Sequence, residues 1–446
     1  MSILFKDMST REKGSMEMLR KFLTAAVFLC AAGCLAGCQG MENGTAGSGQ
    51  DQTEKTTLVW AVWDTGQLPF VQDVIDAYEA EHPDIEIRVE EYPTDGYDFS
   101  LESDLMSEDH QIDCMLIKDI PGYLSLAKKQ LILPVEETDF SDSGIQKDLM
   151  VDGNVYTRLC RSDFNVLYYN KELFDTAGME YPANDMTFEE YDAMVREVSE
   201  KASEALGNHI YGVYYHTWRS TVQDFALLDG KHTLLDGDYE FLRPVYEMVL
   251  EQQADGICPP YLNAKLDSMH YSTAFYSNRV AVMPMGTWFL PNLIQAAGNG
   301  ESQVDRWGIA SMPHADGAAQ DTSVAAITGV SISSSSAYKK EAKDFVDFLC
   351  GQEGAEILAE TGTMPALRNE KVTDIISSQG GFPQDESSRA ALETGMIYYN
   401  QPLDTRSVMA ESILGEIHEK IMLGELSLDE GLARMREEME TVLKES

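Results

Sequence analysis

Between residues 57 and 117 apolar runs take turns with helical periods, and that order restricts the chain to layered α/β folds. Leu58-Val59-Trp60-Ala61-Val62-Trp63 is apolar without a break, the pattern of a strand covered on both faces in a parallel sheet. Val71, Val74, Ile75 and Tyr78 follow at helical spacing, and Pro83, which has no amide hydrogen to give, ends that helix. Ile85, Ile87 and Val89 then alternate with Glu86, Arg88 and Glu90, as in a strand with one face in water. Leu101 and Leu105 mark another helix, and Ile112-Asp113-Cys114-Met115-Leu116-Ile117 a third, buried strand. Strand, helix, strand, helix, strand predicts parallel strands joined by right-handed crossovers.

The remainder repeats the pattern with more helix. Thr187-Phe188-Glu189-Glu190 is a capping box ahead of the stripe Tyr191, Met194, Val195 and Val198. Tyr246, Val249 and Leu250 belong to a helix that Gly256 ends. Val280–Met283 and Trp307–Ala310 read as short buried strands, and Lys339–Leu349 as a helix with Ala342, Phe345, Val346 and Leu349 inward. Near the C-terminus Leu428, Leu432, Met435, Met439 and Val442 step by four and three behind Ser427-x-x-Glu430. Two heptads are too few for a coiled coil, so this stripe predicts a docked amphipathic helix.

The N-terminal region is of another kind. Arg20 and Lys21 precede a short apolar run, Phe22 to Ala36, that closes on Leu35-Ala36-Gly37-Cys38. The run is short of the ~20 apolar residues of a membrane span, and its ending resembles a bacterial lipobox. On that reading residues 1–37 are a lipoprotein signal peptide and the Cys38 thiol carries a diacylglyceryl group. Two acyl chains anchor stably where one does not, at ~0.8 kcal/mol per buried methylene. The alternative is an ordinary secretory signal with a chance cysteine. Cys34 fits less well, because Ala31 stands where the motif has Leu. Residues 38–56 form a lipidated tether that is polar and Gly-rich after Cys38, and the 18 flexible residues of 39–56 span roughly 20–25 Å. The protein is thus expected on the cell membrane, lipid-anchored and facing outside the cytoplasm.

Charge and cysteine narrow the partners. The net charge of −42 deepens to −44 once the five basic and three acidic residues of 1–37 are removed. Nucleic acid and anionic lipid both need a basic surface, so neither is expected as a partner. The 409 residues that remain after residue 37 are enough for two or three domains with proper cores. Beyond Cys38 the cysteines are Cys114, Cys160, Cys258 and Cys350. They lie too far apart for a disulfide framework or zinc site, which leaves buried free thiols or a single disulfide.

Catalytic and metal signatures are missing. None of the eight histidines falls in HExxH, and there is no G-x-S-x-G, Walker A or strand-borne G-x-G-x-x-G. Asp236-Gly237-Asp238 lacks the downstream Glu of a calcium loop. Glu90-Glu91, Glu136-Glu137 and Glu189-Glu190 are neighbours whose side chains diverge on a strand or helix, as solvated faces do. No enzyme, cofactor or metal is expected.

Residues 168–191 run Tyr-Tyr-Asn-Lys-Glu-Leu-Phe-Asp-Thr-Ala-Gly-Met through Pro182 to Thr187-Phe188-Glu189-Glu190-Tyr191. This stretch resembles the signature of family 1 extracellular solute-binding proteins. Four more stretches resemble that family in the same order. They are Ser277–Trp288 (Ala281, Met283, Gly286, Trp288), Trp307–Gly317 (Pro313, Asp316-Gly317), Gly329–Leu349 (Ala342, Phe345, Phe348) and Gly362-Thr-Met-Pro365. Two departures stand out: Asn278 replaces a usual Gly, and Cys160-Arg161 follow Tyr156–Leu159 where the family often has Pro. The resemblance implies an α/β, two-lobe, periplasmic-binding-protein-like fold of type II with a ligand cleft between the lobes. It also implies lobe one at 57–157 plus 322–355 and lobe two at 158–321 plus 356–446. The expected role is a monomeric receptor that captures a carbohydrate, an oligosaccharide in particular, for the permease subunits of an ABC importer. Delivering ligand to a membrane sensor kinase, or a surface glycoside hydrolase, are the alternatives.

Within that frame Trp63, Asp64 and the Thr65-Gly66 loop close the first buried strand, where ligands collect in open α/β sheets. Asp119 follows the third. An indole offers a flat apolar surface to a sugar face, and a carboxylate accepts its hydroxyls. Arg161, Trp218 and Trp288 would line the opposite lobe, with Tyr123, Tyr214 and Tyr215 as weaker walls. Trp60 and Trp307, inside strands, read as core. Trp63, Trp218 and Trp288 beside turns fit core or ligand contact equally, and Asp64 and Asp119 fit helix caps equally. If the lipobox is real, Cys38→Ala leaves the precursor unacylated and uncut before residue 38, so it no longer partitions into detergent. An alanine variant acylated and cut at the same bond overturns the assignment.

Overall fold

The computed structural model describes residues 55–107, 109–136, 149–315 and 317–444; Cys38, the signal segment and nearly all of the tether lie outside them. The strands are β1 (Thr56–Trp63), β2 (Ile85–Tyr92), β3 (Cys114–Ile117), β4 (Arg158–Asn170), β5 (Tyr211–Val213), β6 (Val280–Gly286), β7 (Trp307–Ala310), β8 (Thr322–Ile332) and β9 (Met396–Tyr399). The helices used below are α1 (Phe70–Glu81), α2 (Tyr97–Leu105), α3 (Ile120–Lys128), α4 (Phe188–Leu206), α5 (Ser220–Leu227), α6 (Tyr271–Tyr276), α7 (Leu290–Asn299), α8 (Lys339–Cys350), α9 (Ser407–Met422) and α10 (Leu428–Lys444).

β1 pairs in parallel with β2 and β3, as strands linked by crossover helices must. The third strand begins at Cys114, two residues later than its apolar run. Asp113 is the reason: its carboxylate accepts the Val59 amide at 2.9 Å and the Ser336 hydroxyl, so it caps the strand. The sheet order is β2-β1-β3-β8-β4-β6-β5, with β7 on β4 and β9 on β8. β8 runs antiparallel to both β3 and β4. The first half of β4 pairs with β8 and the second half with β6 and β7.

The apolar interior divides accordingly into two lobes that share β4 and β8. One core gathers Trp60, Phe70, Tyr78, Tyr97, Met115 and Phe345, and takes in Leu159, Cys160, Leu358 and Ala366 at its border. Two others lie beyond β4, one around Tyr191, Phe225, Tyr246 and Leu432 and one around Phe164, Tyr168, Phe275 and Phe289. Trp60 and Trp307 are core residues, and the four cysteines are buried free thiols.

Local signals hold where they were strong. Thr187 and Glu190 make both bonds of the capping box that starts α4, and Ser427 and Glu430 make the same pair at the start of α10. α10 docks on α9 at close range because Gly431 has no Cβ; one would sit 2.4 Å from Ile421. Asn278 adopts φ 54°, the left-handed turn that excuses the missing glycine. Among the described residues no helix is long and apolar enough to cross a membrane.

Trp60 anchors the first core edge-on against Phe345, at 5.2 Å between ring centroids, yet its indole N–H has no partner. Trp60→Ala should therefore cost about 3–5 kcal/mol, and Trp60→Phe much less, since the orphaned donor leaves with the indole. Urea unfolding of both variants checks the order; an alanine variant within about 1 kcal/mol of wild type contradicts this packing role.

Candidate ligand-binding site

Because β1, β2 and β3 are parallel, their carboxyl ends share one edge, and the loops there collect polar groups. Asp64 follows β1 in the left-handed region, φ 41°, and makes no side-chain cap. Its carboxylate instead accepts the Thr94 hydroxyl at 3.3 Å. Lys118 donates to the Thr94 carbonyl at 2.8 Å, tying the loop after β3 to the loop after β2. Asp119 caps α3, accepting the Gly122 amide at 2.8 Å. Gly122 is required there: an added Cβ would lie 2.4 Å from the Asp98 carboxylate. Burial raises the pKa of Asp98, and the neighbouring Asp119 raises it further. Asp119 is itself raised, by burial first and by Glu411 of α9 among its neighbours. Trp63 is 9% exposed and packs against Tyr97 at 5.0 Å. It is chiefly part of the core.

Arg161 stands on the crossing strand at an irregularity in the β4–β8 register. Its guanidinium donates to Asp163 at 2.8 Å and lies 5.8 Å from the Phe70 ring of α1, so it touches both lobes. Asp163 also accepts the Thr287 hydroxyl at 3.0 Å. Two residues apart on a strand, Arg161 and Asp163 point to the same face. The buried Tyr271 of α6 closes this group. Burial pushes its phenol up to about 12, and Arg161, Asp64 and Asp163 all bear on it.

Trp218 and Trp288 meet beside Tyr271, with indole centroids 6.4 Å apart. Trp218 is 44% exposed and Trp288 half-buried. Gly286 makes room for the second indole, since a Cβ there would be 2.0 Å from its ring. Under the pair is a small recess with about 420 Å³ of empty space, mouth included, lined also by Asn165, Asp224, Met312 and Asn400. Asp224 is 3% exposed and its Oδ1 has no hydrogen-bond partner. Arg219, just ahead of α5, pairs with Glu411 and lies 3.8 Å from Asp224. His216 packs on Trp218, and burial holds its pKa down at about 4, so it is neutral at pH 7.

Of the residues expected from sequence, the charges of Asp64 and Arg161 both bear on the Tyr271 phenol, and Trp218 adjoins Trp288 and Tyr271. Asp119 feels the charge of Glu411 but is first a helix cap. Tyr123, Tyr214 and Tyr215 are buried in the cores, with hydroxyls spent on Leu149, Met269 and Gln252, so they are not walls. Sequence reading missed Asp163, Arg219, Asp224, Tyr271 and Glu411. The i, i+2 spacing of Arg161 and Asp163 on a strand was a usable signal. Asp224 had none, because Thr221 through Phe225 are all buried and no apolar stripe sets it apart.

Known proteins share the family and the fold. Residues 64–356 match the family described as bacterial extracellular solute-binding protein. A sugar transporter of Rhizobium etli, solved in an open conformation, is 37% identical, with TM-score 0.77 over 86% of this chain and 99% of that one. The GacH receptor of Streptomyces glaucescens, solved unliganded and with acarbose, is 17% identical, with TM-score 0.70 over 88% of this chain and 99% of that one. An uncharacterized ABC transporter extracellular-binding protein of Pyrococcus horikoshii is 22% identical over 278 residues, 58% of this chain. The match spans 63% of that relative's length.

The two tryptophan environments predict opposite phenotypes. Trp63→Ala should cost about 3–5 kcal/mol of apo stability, as loss of a core indole does. Trp218→Ala should leave apo stability within about 1 kcal/mol and act on ligand affinity instead. Apo melting curves of the two variants check this; equal losses would put Trp218 in the core as well.

Proposed function

The chain belongs to the bacterial extracellular solute-binding protein family, and on that footing we propose that it captures a carbohydrate, an oligosaccharide by preference, and hands it to an ABC importer. The observation that carries the reading is the paired indoles of Trp218 and Trp288 over a recess with an acceptor carboxylate. Flat apolar surface beside fixed polar groups is what a sugar ring needs. The protein binds its solute and does not turn it over, as befits a solute-binding family. That a 37% identical relative is a sugar transporter supports the substrate class.

In this reading lobe one comprises 57–157 plus 322–355 and lobe two 158–321 plus 356–446. Asp64 and Asp119 face the cleft from the first lobe, with Trp63 packed behind them in the core; Arg161, Trp218 and Trp288 face it from the second. Cys38 carries the lipid anchor, the tether lifts a monomeric receptor off the bilayer, and the permease meets its outer surface.

The test is a thermal-shift screen against mono- and oligosaccharides, followed by solution scattering. A true ligand at 100 times its Kd stabilises the fold by ~2.7 kcal/mol. The radius of gyration should fall as the lobes close as rigid bodies, and the sugar should be recovered uncut. An unchanged scattering curve with saturating ligand argues against a hinged cleft, and a cleaved sugar against a pure receptor.

A further inference from the structure

The sequence reading did not single out Asp224, the acceptor carboxylate of the recess. Asp224 is presented by α5, whose residues Thr221 to Phe225 are buried on every side. Its carboxyl takes a hydrogen bond from Asn165, which leaves Oδ1 without a donor. Arg219 forms an ion pair with that same oxygen at 3.8 Å, too long for a hydrogen bond, and its guanidinium donates instead to Glu411 and Gln223. A buried acceptor without a donor costs on the order of 1–3 kcal/mol, so the site is arranged for a donor that arrives from outside.

Which donor follows from the surroundings. The recess is small, and Trp218 and Trp288, the first 44% exposed, are among the residues that line it. A group bearing O–H on an apolar ring satisfies both features: the ring lies on the indoles while a hydroxyl or hydroxymethyl reaches in. A carboxylate or phosphate would meet the Asp224 carboxylate, with the charge of Glu411 adding to the repulsion, and would find no cation among the described residues that line the recess. Arg161 is committed to Asp163, Arg219 to Glu411, and His216 is neutral.

Building on the carbohydrate reading, we propose that Asp224 sets the specificity of this site, accepting a hydroxyl hydrogen from an uncharged sugar ring stacked on Trp218 and Trp288 and turning away uronic acids and phosphorylated sugars. Binding is then linked to a proton. Burial pushes the Asp224 carboxyl up to about 7, against Arg219, with Glu411 raising it and Asn165 lowering it. Among the described residues no other charged one lines the recess. A ligand hydroxyl bonded to the ionised form lowers that pKa, so binding releases a proton from the fraction still protonated. Affinity should therefore be highest above pH 7 and fall about tenfold between pH 8 and pH 6.

Titration calorimetry tests this with the neutral saccharide that gives the largest thermal shift among maltotriose, raffinose, cellotriose and xylotriose; trigalacturonate serves as the acidic counterpart. The wild type should release protons at pH 7, seen as an observed enthalpy that varies with buffer ionisation enthalpy. Asp224→Asn should bind at least about tenfold more weakly at pH 8, with flat pH dependence and no proton release. Its apo melting temperature separates loss of binding from loss of fold, and the wild-type proton count stands even if the variant misfolds. Unchanged affinity in Asp224→Asn, a flat wild-type profile, or trigalacturonate bound as tightly as the neutral sugar overturns the proposal alone. If no saccharide binds, the carbohydrate reading fails and this proposal falls with it.

Discussion

The pairing of β4 with β8 is the constraint on which the other parts depend. β8 meets β3 through Gly329–Ile332 and β4 through Ala325–Val330, so it joins the first core to the other two. A slip of one residue in that ladder would turn every side chain of β4 to the wrong face. The register does shift once, between Leu159 and Arg161. That irregularity lies where Arg161, Ser162 and Asp163 are buried in succession. Buried charges are tolerated only when paired and bonded, and Asp163 is answered by Arg161 and Thr287. The Arg161 Nε and Ser162 hydroxyl remain unanswered. The crossing point is thus held in register by apolar strand faces, while it keeps polar capacity in reserve beside the cleft.

A second buried polar line leads away from the recess. Arg219 donates to Gln223 at 3.3 Å, Gln223 to the Tyr246 hydroxyl at 2.9 Å, and Tyr246 lies 2.9 Å from His418 Nδ1. If Tyr246 takes the Gln223 hydrogen it gives its own to His418, which leaves that ring protonated at Nε2, where it has no acceptor. Burial, with Arg219 and Lys265 adding to it, drives His418 down to about 3. The imidazole stays neutral across the physiological range, so this line fixes the orientation of Arg219 and does not titrate. A partly satisfied network in low dielectric is costly. Keeping one under the tryptophan pair makes sense where Arg219 has to hold Glu411 in place.

How far the sequence reveals this varies with the range of the interaction. Continuous apolar runs, the two capping boxes and the amphipathic stripe of α10 are local, and they form where their spacing predicts. The start of β3 was misjudged because Asp113 interrupts nothing in hydropathy, yet serves Val59 and Ser336 from distant segments. Trp63 and Trp218 look alike in sequence, each an indole beside a turn. Only the neighbour distinguishes them, Tyr97 covering the first and open solvent leaving the second exposed. Asp224 was invisible for the same reason, since its meaning lies in Asn165 and Trp288, more than fifty residues away on either side. Helix and strand periods report what faces a core. They do not report which polar group a core leaves unpaired.

Those unpaired groups also bear on how the lobes move. Beyond the ladders of β8 with β4 and β9 and the Arg158–Asp347 ion pair, two further contacts between the lobes as proposed are weak: the Asn292 amide donates to Gln67 at 2.8 Å on an exposed surface, and Arg161 reaches Phe70. A hydrogen bond nets about 0.5–1.5 kcal/mol and a cation–π contact about 0.5–1 kcal/mol when exposed. Neither is large beside the ~2.7 kcal/mol that a ligand at 100 times its Kd contributes. A ligand can shift the lobes only by as much as it prefers one arrangement over the other. Groups already satisfied in the empty protein, such as the Asp163 carboxylate, cannot supply that preference. The dry, unanswered atoms can, because their desolvation cost was met when the chain folded and every bond they then make counts toward closure.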